Sequence, residues 1–169
     1  MAGDLQLKGT IMLEMGKYDE AKALFARTLK MTDDSNQSAE IKAATRNFDH
    51  FNQARVALGN KDNATAKTEA QQFMQGIASK NANLVKQAHS LLGTIALEEK
   101  DYDKATAELQ QANPQNPYDL YRQGLAFQGK GDFAKAKDFC KKAAEFNSLP
   151  QINLAFIRSK AAGAAAATK

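Results

Sequence analysis

A phosphate-binding loop has the form G-x-x-x-x-G-K-[ST], and residues 124–131 come within one position of it. Gly124, Gly129 and Lys130 are in place, but Gly131 stands where a hydroxyl must hold the metal. The loop must also join a strand to a helix, and here Tyr118 to Gln128 reads as helix throughout. Nucleotide chemistry is therefore not expected. The two histidines, His50 and His89, are 39 residues apart, and neither has a second ligand type three or four residues away. His89 falls at a core position of a helix pair and reads as structural. The single cysteine, Cys140, excludes an internal disulfide and a cysteine-built zinc cage. Its core position predicts a buried, inert thiol. Glu98, Glu99, Asp101 and Asp103 cluster at a helix end and turn. Paired carboxylates do acid–base work only in a cleft that shifts their pKa values, and a solvated turn is the better reading. No spacing suggests a Ser-His-Asp arrangement. The glycosylation sequons at Asn36 and Asn63 are expected by chance in an Asn-rich chain. The sequence thus assigns no catalytic, cofactor-binding or metal-ligating residue, and predicts neither a cofactor nor a small-molecule substrate.

The elements that would position any chemistry are helices. Ala, Lys, Gln, Leu and Glu, all good helix formers, are plentiful, while proline occurs three times. Val56 and Val85 are the only valines, which argues against a β-rich fold. Hydrophobic residues make up 43% of the 169, enough for a continuous core. The net charge of +4 is a mild excess. Lys130, Lys135, Lys137, Lys141 and Lys142 are interrupted by Asp132, Asp138 and Glu145, the pattern of a solvated, charge-laced face rather than a nucleic-acid stripe. No apolar run is long enough to insert in a membrane. Met1-Ala2-Gly3-Asp4 lacks the basic and apolar regions of a signal peptide and leads straight into a helix-pair motif. The chain therefore reads as a fragment of a longer parent, with its compartment, cytoplasmic or periplasmic, left open.

Four segments repeat one pattern: Gly16-Lys17-Tyr18-Asp19-Glu20-Ala21, Lys61-Asp62-Asn63-Ala64-Thr65-Ala66, Lys100-Asp101-Tyr102-Asp103-Lys104-Ala105 and Gly131-Asp132-Phe133-Ala134-Lys135-Ala136. Each ends one helical pattern and opens another, with Asp or Asn available as a cap. The aromatic residue is expected to pack into the angle between helices, and the alanine to sit where they cross. Twelve residues before each alanine stand Gly9, Ala54, Gly93 and Gly124, small enough for close helix approach; four residues after it stand Phe25, Ala70, Leu109 and Cys140 in the core.

This pattern resembles the tetratricopeptide repeat family, as a fragment of bacterial type. The third unit carries it best, in Leu92, Gly93, Tyr102, Ala105, Leu109, Ala112 and Pro117; the second lacks both glycine and aromatic residue. The resemblance spans roughly residues 3–148. The alanines are separated by 45, 39 and 31 residues, against a family period of ~34. A long first helix in unit two, from Gln37 to Leu58, and a longer loop near Ser79–Asn83 account for the difference. The resemblance implies an all-α fold, a right-handed superhelical array of antiparallel helix pairs in about four units. Helices are predicted near 4–15, 18–31, 37–59, 64–78, 83–99, 102–112, 117–129 and 133–146. A ninth, over 149–161 with Ile152, Leu154, Phe156 and Ile157, would cap the open end. The whole is read as a single domain over 1–161, with a disordered Ala-rich tail over 162–169.

In such a stack the first helices of the pairs line the concave side. Matching repeat positions puts Gln6, Thr10 and Leu13 there from unit one, and Phe48, Phe51, Asn52 and Arg55 from unit two. Ser90, Thr94 and Leu97 follow from unit three, then Tyr118, Tyr121, Arg122 and Leu125 from unit four. Aromatic residues and arginines dominate interface energies, so Phe51, Arg55, Tyr121 and Arg122 are the strongest candidates. Phe48 and Phe51 have an equally weighted alternative as packing residues. Some family members clamp a C-terminal carboxylate with lysine and asparagine; the corresponding Gln6, Thr10, Gln87 and Leu91 do not supply that clamp. The expected role is a non-enzymatic scaffold that binds a protein or peptide segment, with an acidic one suited to the arginines. The alternative is a structural module of a larger parent, associating with its own domains or with a second copy.

Overall fold

A computed structural model describes residues 2–77, 81–146 and 155–167. The described residues form nine helices and no strand: α1 (Ala2–Glu14), α2 (Tyr18–Asp33), α3 (Ala39–Gly59), α4 (Asn63–Gln75), α5 (Ala82–Glu98), α6 (Tyr102–Gln111), α7 (Pro117–Gly129), α8 (Phe133–Glu145) and α9 (Ala155–Ala167). Successive helices pack in pairs, α1 on α2, α3 on α4, α5 on α6 and α7 on α8. Helices α1–α4 make one compact unit, Met1–Asn81, and α5–α9 another, Ala82–Lys169.

The four repeated segments make four equivalent turns. Gly16, Lys61, Lys100 and Gly131 all take a left-handed backbone, with φ of 74°, 62°, 62° and 78°. In each turn the next residue donates its N–H back five residues, as in Lys17 to Met12 and Asp62 to Ala57, both at 2.9 Å. These are Schellman motifs, which satisfy the carbonyls at the end of the first helix. Asp62, Asp101 and Asp132 then cap the next helix, their carboxylates accepting from the backbone N–H of Thr65, Lys104 and Lys135. One residue thus closes one helix and starts another. Lys17, in the first turn, makes no such side-chain cap.

Ala21, Ala66, Ala105 and Ala136 are all fully buried, as crossing residues must be. The small residues opposite are required by close approach. A Cβ on Gly93 would lie 2.6 Å from Leu109 Cγ, and one on Gly124 2.5 Å from Cys140 Sγ. The aromatic residues pack one helix further along than the angle of their own pair. Tyr18 of α2 lies against Gly59 at the end of α3, and Tyr102 of α6 against Gly129 at the end of α7. Phe133 differs and is 50% exposed. The helix after it, α9, offers a glycine, Gly163, that faces open space.

In the first unit the core runs through Ala21, Phe25 and Val56, with Met12, Leu13 and Tyr18 against it. In the second it runs through Ala96, Ala105, Leu109 and Ala126, and then through Leu120, Ala143 and Ala161. Helix α9 packs on α8 and α7, burying Ile157 and Ala161. It continues to Ala167, beyond the predicted end at 161 and through residues read as tail, while residues 149–154 of the predicted span lie outside the described residues. Ile152 and Leu154, and part of the loop near Ser79–Asn83, lie outside the described residues.

Candidate functional site

Within the first unit, the inner side of α1 and α3 is joined by a reciprocal amide pair. Gln6 Nε2 donates to Asn52 Oδ1 at 2.9 Å, and Asn52 Nδ2 donates to Gln6 Oε1 at 3.1 Å. Asn52 is buried, so this proposed contact residue has its hydrogen bonds within the fold. Beside it, the Arg55 guanidinium carbon lies 5.4 Å from the Phe51 ring centroid, and NH1 donates to Thr10 Oγ1 at 3.5 Å. Phe48 and Phe51 have centroids 5.2 Å apart, and Phe51 is a further 5.2 Å from the fully buried Phe73 of α4. Their rings are half-buried, one side in the hairpin core and the rest at the surface. Leu13 is likewise half-buried against the core of this unit.

In the second unit the corresponding face is built from α5 and α7. The Arg122 guanidinium carbon lies 5.6 Å from the centroid of the Tyr118 ring one turn earlier. Its NH1 is shared between Ser90 Oγ of α5 and Asp119 Oδ1, each at 3.4 Å. The side chain of Asp119 is only 1% exposed, whereas that of Arg122 is 28% exposed, so the carboxylate lies beneath the guanidinium. The Ser90 hydroxyl also donates to Asp119. Burial pushes the Asp119 carboxyl above the usual carboxylate range, against the opposing pull of Arg122, Ser90 and the Asn113 backbone N–H. Tyr121 packs on the cluster of Leu120, Ala143 and Ala161, and burial pushes its phenol up. The structure therefore brings Tyr118 and Arg122 together and sets Tyr121 partly into the core.

Asp119 and Ser90 are the residues whose roles the sequence leaves unseen. The only sequence signal is the i, i+3 spacing of Asp119 and Arg122, which puts them on one helix face. The histidines do take structural places. His50 Nδ1 is 2.7 Å from Glu69 Oε2, and His89 Nδ1 is 2.8 Å from Glu108 Oε2. These are the same two repeat positions, 39 residues apart, and each pair ties the two helices of one hairpin. Cys140 is buried, and burial pushes its thiol up, away from the thiolate a nucleophile needs. Lys130, Lys135, Lys141 and Lys142 are ion-paired with Asp103, Asp132, Glu145 and Asp138, as a charge-laced face would be. Among the described residues there is no group of three or more potential metal ligands, and no helix long and apolar enough to cross a membrane.

The paired helices place the chain in the class of helical-hairpin repeats. The tetratricopeptide repeat family model matches residues 120–148, which cover most of α7 and all of α8. That match and the all-helical array of paired helices fit a tetratricopeptide-type repeat domain. Among curated proteins, none matches the chain. Tetratricopeptide repeats serve in general as non-enzymatic modules of protein–protein interaction.

Proposed function

We propose that this chain is a non-enzymatic scaffold that holds a polypeptide segment against the inner faces of its first helices. One repeated observation carries the reading. In each unit an arginine lies across an aromatic ring, Arg55 on Phe51 and Arg122 on Tyr118, with all four side chains half-buried. Rings already braced by the core lose little freedom on binding, and guanidinium groups held over them are partly preorganised. Phe48 packs beside Phe51, and with Asn52, Leu13 and Tyr121 it completes the proposed contact faces. Carboxylates of an acidic segment suit the arginines through paired hydrogen bonds.

Peptides selected from a random library against the intact chain test this. Phe51→Ala, Arg55→Ala and Tyr121→Ala should each weaken the selected peptides by about 1–3 kcal/mol without loss of helicity. Replacing Glu by Gln in those peptides should weaken them further at low salt. Undiminished binding by all three variants would remove the inner faces from the account.

One observation favours the alternative of association with further helices. Val56 of α3 is buried against Ala21 and Phe25 of α2. Its repeat counterparts Ala126 and Ala161 are fully buried as well. In α1 the same register holds Ile11, which is only half-buried, with Leu7 one turn before it 46% exposed and Met15 one turn beyond it at 52%. Sedimentation velocity over a concentration series distinguishes the readings. Association that Leu7→Glu abolishes supports the structural role, and a monomer at all concentrations supports the scaffold.

A further inference from the structure

Arg122 is one of the two arginines in the reading above, and its charge has a neighbour within the fold. Beneath Arg122 lies a carboxylate that solvent does not reach: the Asp119 side chain is 1% exposed. The contact is long, 3.4 Å from NH1 to Oδ1. That is near enough to offset the charge and too long for the tight bidentate pair an arginine makes with a carboxylate. The solvent side of the guanidinium therefore faces outward while its charge is largely cancelled from below. Asp119 is held in place independently, by the Ser90 hydroxyl and the Asn113 backbone N–H.

We propose that Asp119 sets the charge specificity of the second unit: a built-in carboxylate occupies Arg122 and makes this face favour uncharged over acidic partner segments. This rests on the inner-face reading and refines it, leaving recognition of acidic side chains to other groups. Asp119→Asn keeps an oxygen acceptor for Ser90 and Asn113 while removing the charge. The probes are a labelled peptide containing a Tyr-Glu-Glu-Glu core and its Tyr-Gln-Gln-Gln counterpart, titrated against the intact chain at low and high salt.

For Asp119→Asn, binding of the Glu peptide should tighten by about tenfold at low salt, with the Gln peptide unchanged. High salt, or Arg122→Gln added to Asp119→Asn, should erase the gain. In the otherwise unaltered chain, Arg122→Gln should change the Glu-to-Gln preference less than twofold. A folded Asp119→Asn chain with no gain for the Glu peptide overturns the proposal. So does a tenfold loss of Glu-peptide binding on Arg122→Gln alone with Gln-peptide binding unchanged, a measurement that stands even if Asp119→Asn fails to fold. Neither result depends on the Phe51, Arg55 and Tyr121 variants that decide the inner-face reading.

Discussion

At the scale of single residues, the turns and the buried carboxylate carry the most testable physics. Lys61 and Lys100 hold the left-handed backbone that Gly16 and Gly131 adopt at the matching places. A side chain there costs more than glycine's loss of freedom recovers. Lys61→Gly and Lys100→Gly should therefore each stabilise the fold by about 0.5–1 kcal/mol, read from urea denaturation. Asp119 makes an opposite kind of prediction, about pH. Burial raises its folded-state pKa, so the native state binds the proton more readily than the unfolded chain. Its contribution is fully present below the ordinary carboxylate value and is lost as pH rises through the raised one. The stability of Asp119→Asn relative to the unaltered chain should accordingly grow from acid to neutral pH. The reverse slope would mean that Arg122, Ser90 and Asn113 outweigh the cost of burial. The caps Asp62 and Asp132 have lowered values, so their support is lost in the other direction, as pH falls through those values.

At the scale of elements, the hairpin is the unit that sequence and structure share. Glycine or lysine, then in three of the four an aspartate, then the alanine five residues after the turn residue, fix a Schellman turn, a cap and a crossing. Each depends on neighbours in sequence, so each was legible. The helix bounds followed within a few residues wherever these signals occur. They were lost where signals are absent, as at α9, whose alanines continue a helix with no cap or breaker to mark its end. Asp101→Ala should cost about 1 kcal/mol through its cap on α6. Gly93→Val should cost about 1–3 kcal/mol, because its Cβ would meet Leu109 of α6. Thermal unfolding of the two variants, with helicity followed throughout, checks both. The place of the aromatic residues was only half legible. That Tyr18 and Tyr102 would be partly buried against a neighbouring helix followed from their type. That each would lie on a glycine of the following hairpin is a contact 41 and 27 residues away in sequence, and no local pattern specifies it. The Asn52–Gln6 pair and the Ser90–Asp119–Arg122 network were hidden for the same reason.

For the molecule as a whole, the proposed working surface is, within each unit, the face of its first helices, α1 and α3 in one and α5 and α7 in the other, with the outer faces of the second helices left to solvent. Lys22, Lys67 and Lys137 occupy one repeat position on that outer side and are all exposed. Type and repeat register alone point to aromatic residues and arginines as contact residues, and the structure puts Phe51 beside Arg55 and Tyr118 beside Arg122. How far each ring turns into the core depended on partners such as Phe73 and Ala161, which the register does not reveal. Amide chemical shifts of the isotope-labelled chain, titrated with a library-selected peptide, test the central claim most directly. The largest changes should fall at Phe51, Arg55, Tyr118 and Arg122, with Lys22, Lys67 and Lys137 unmoved. Changes centred on those lysines, with the ring-bearing helix faces silent, would contradict it.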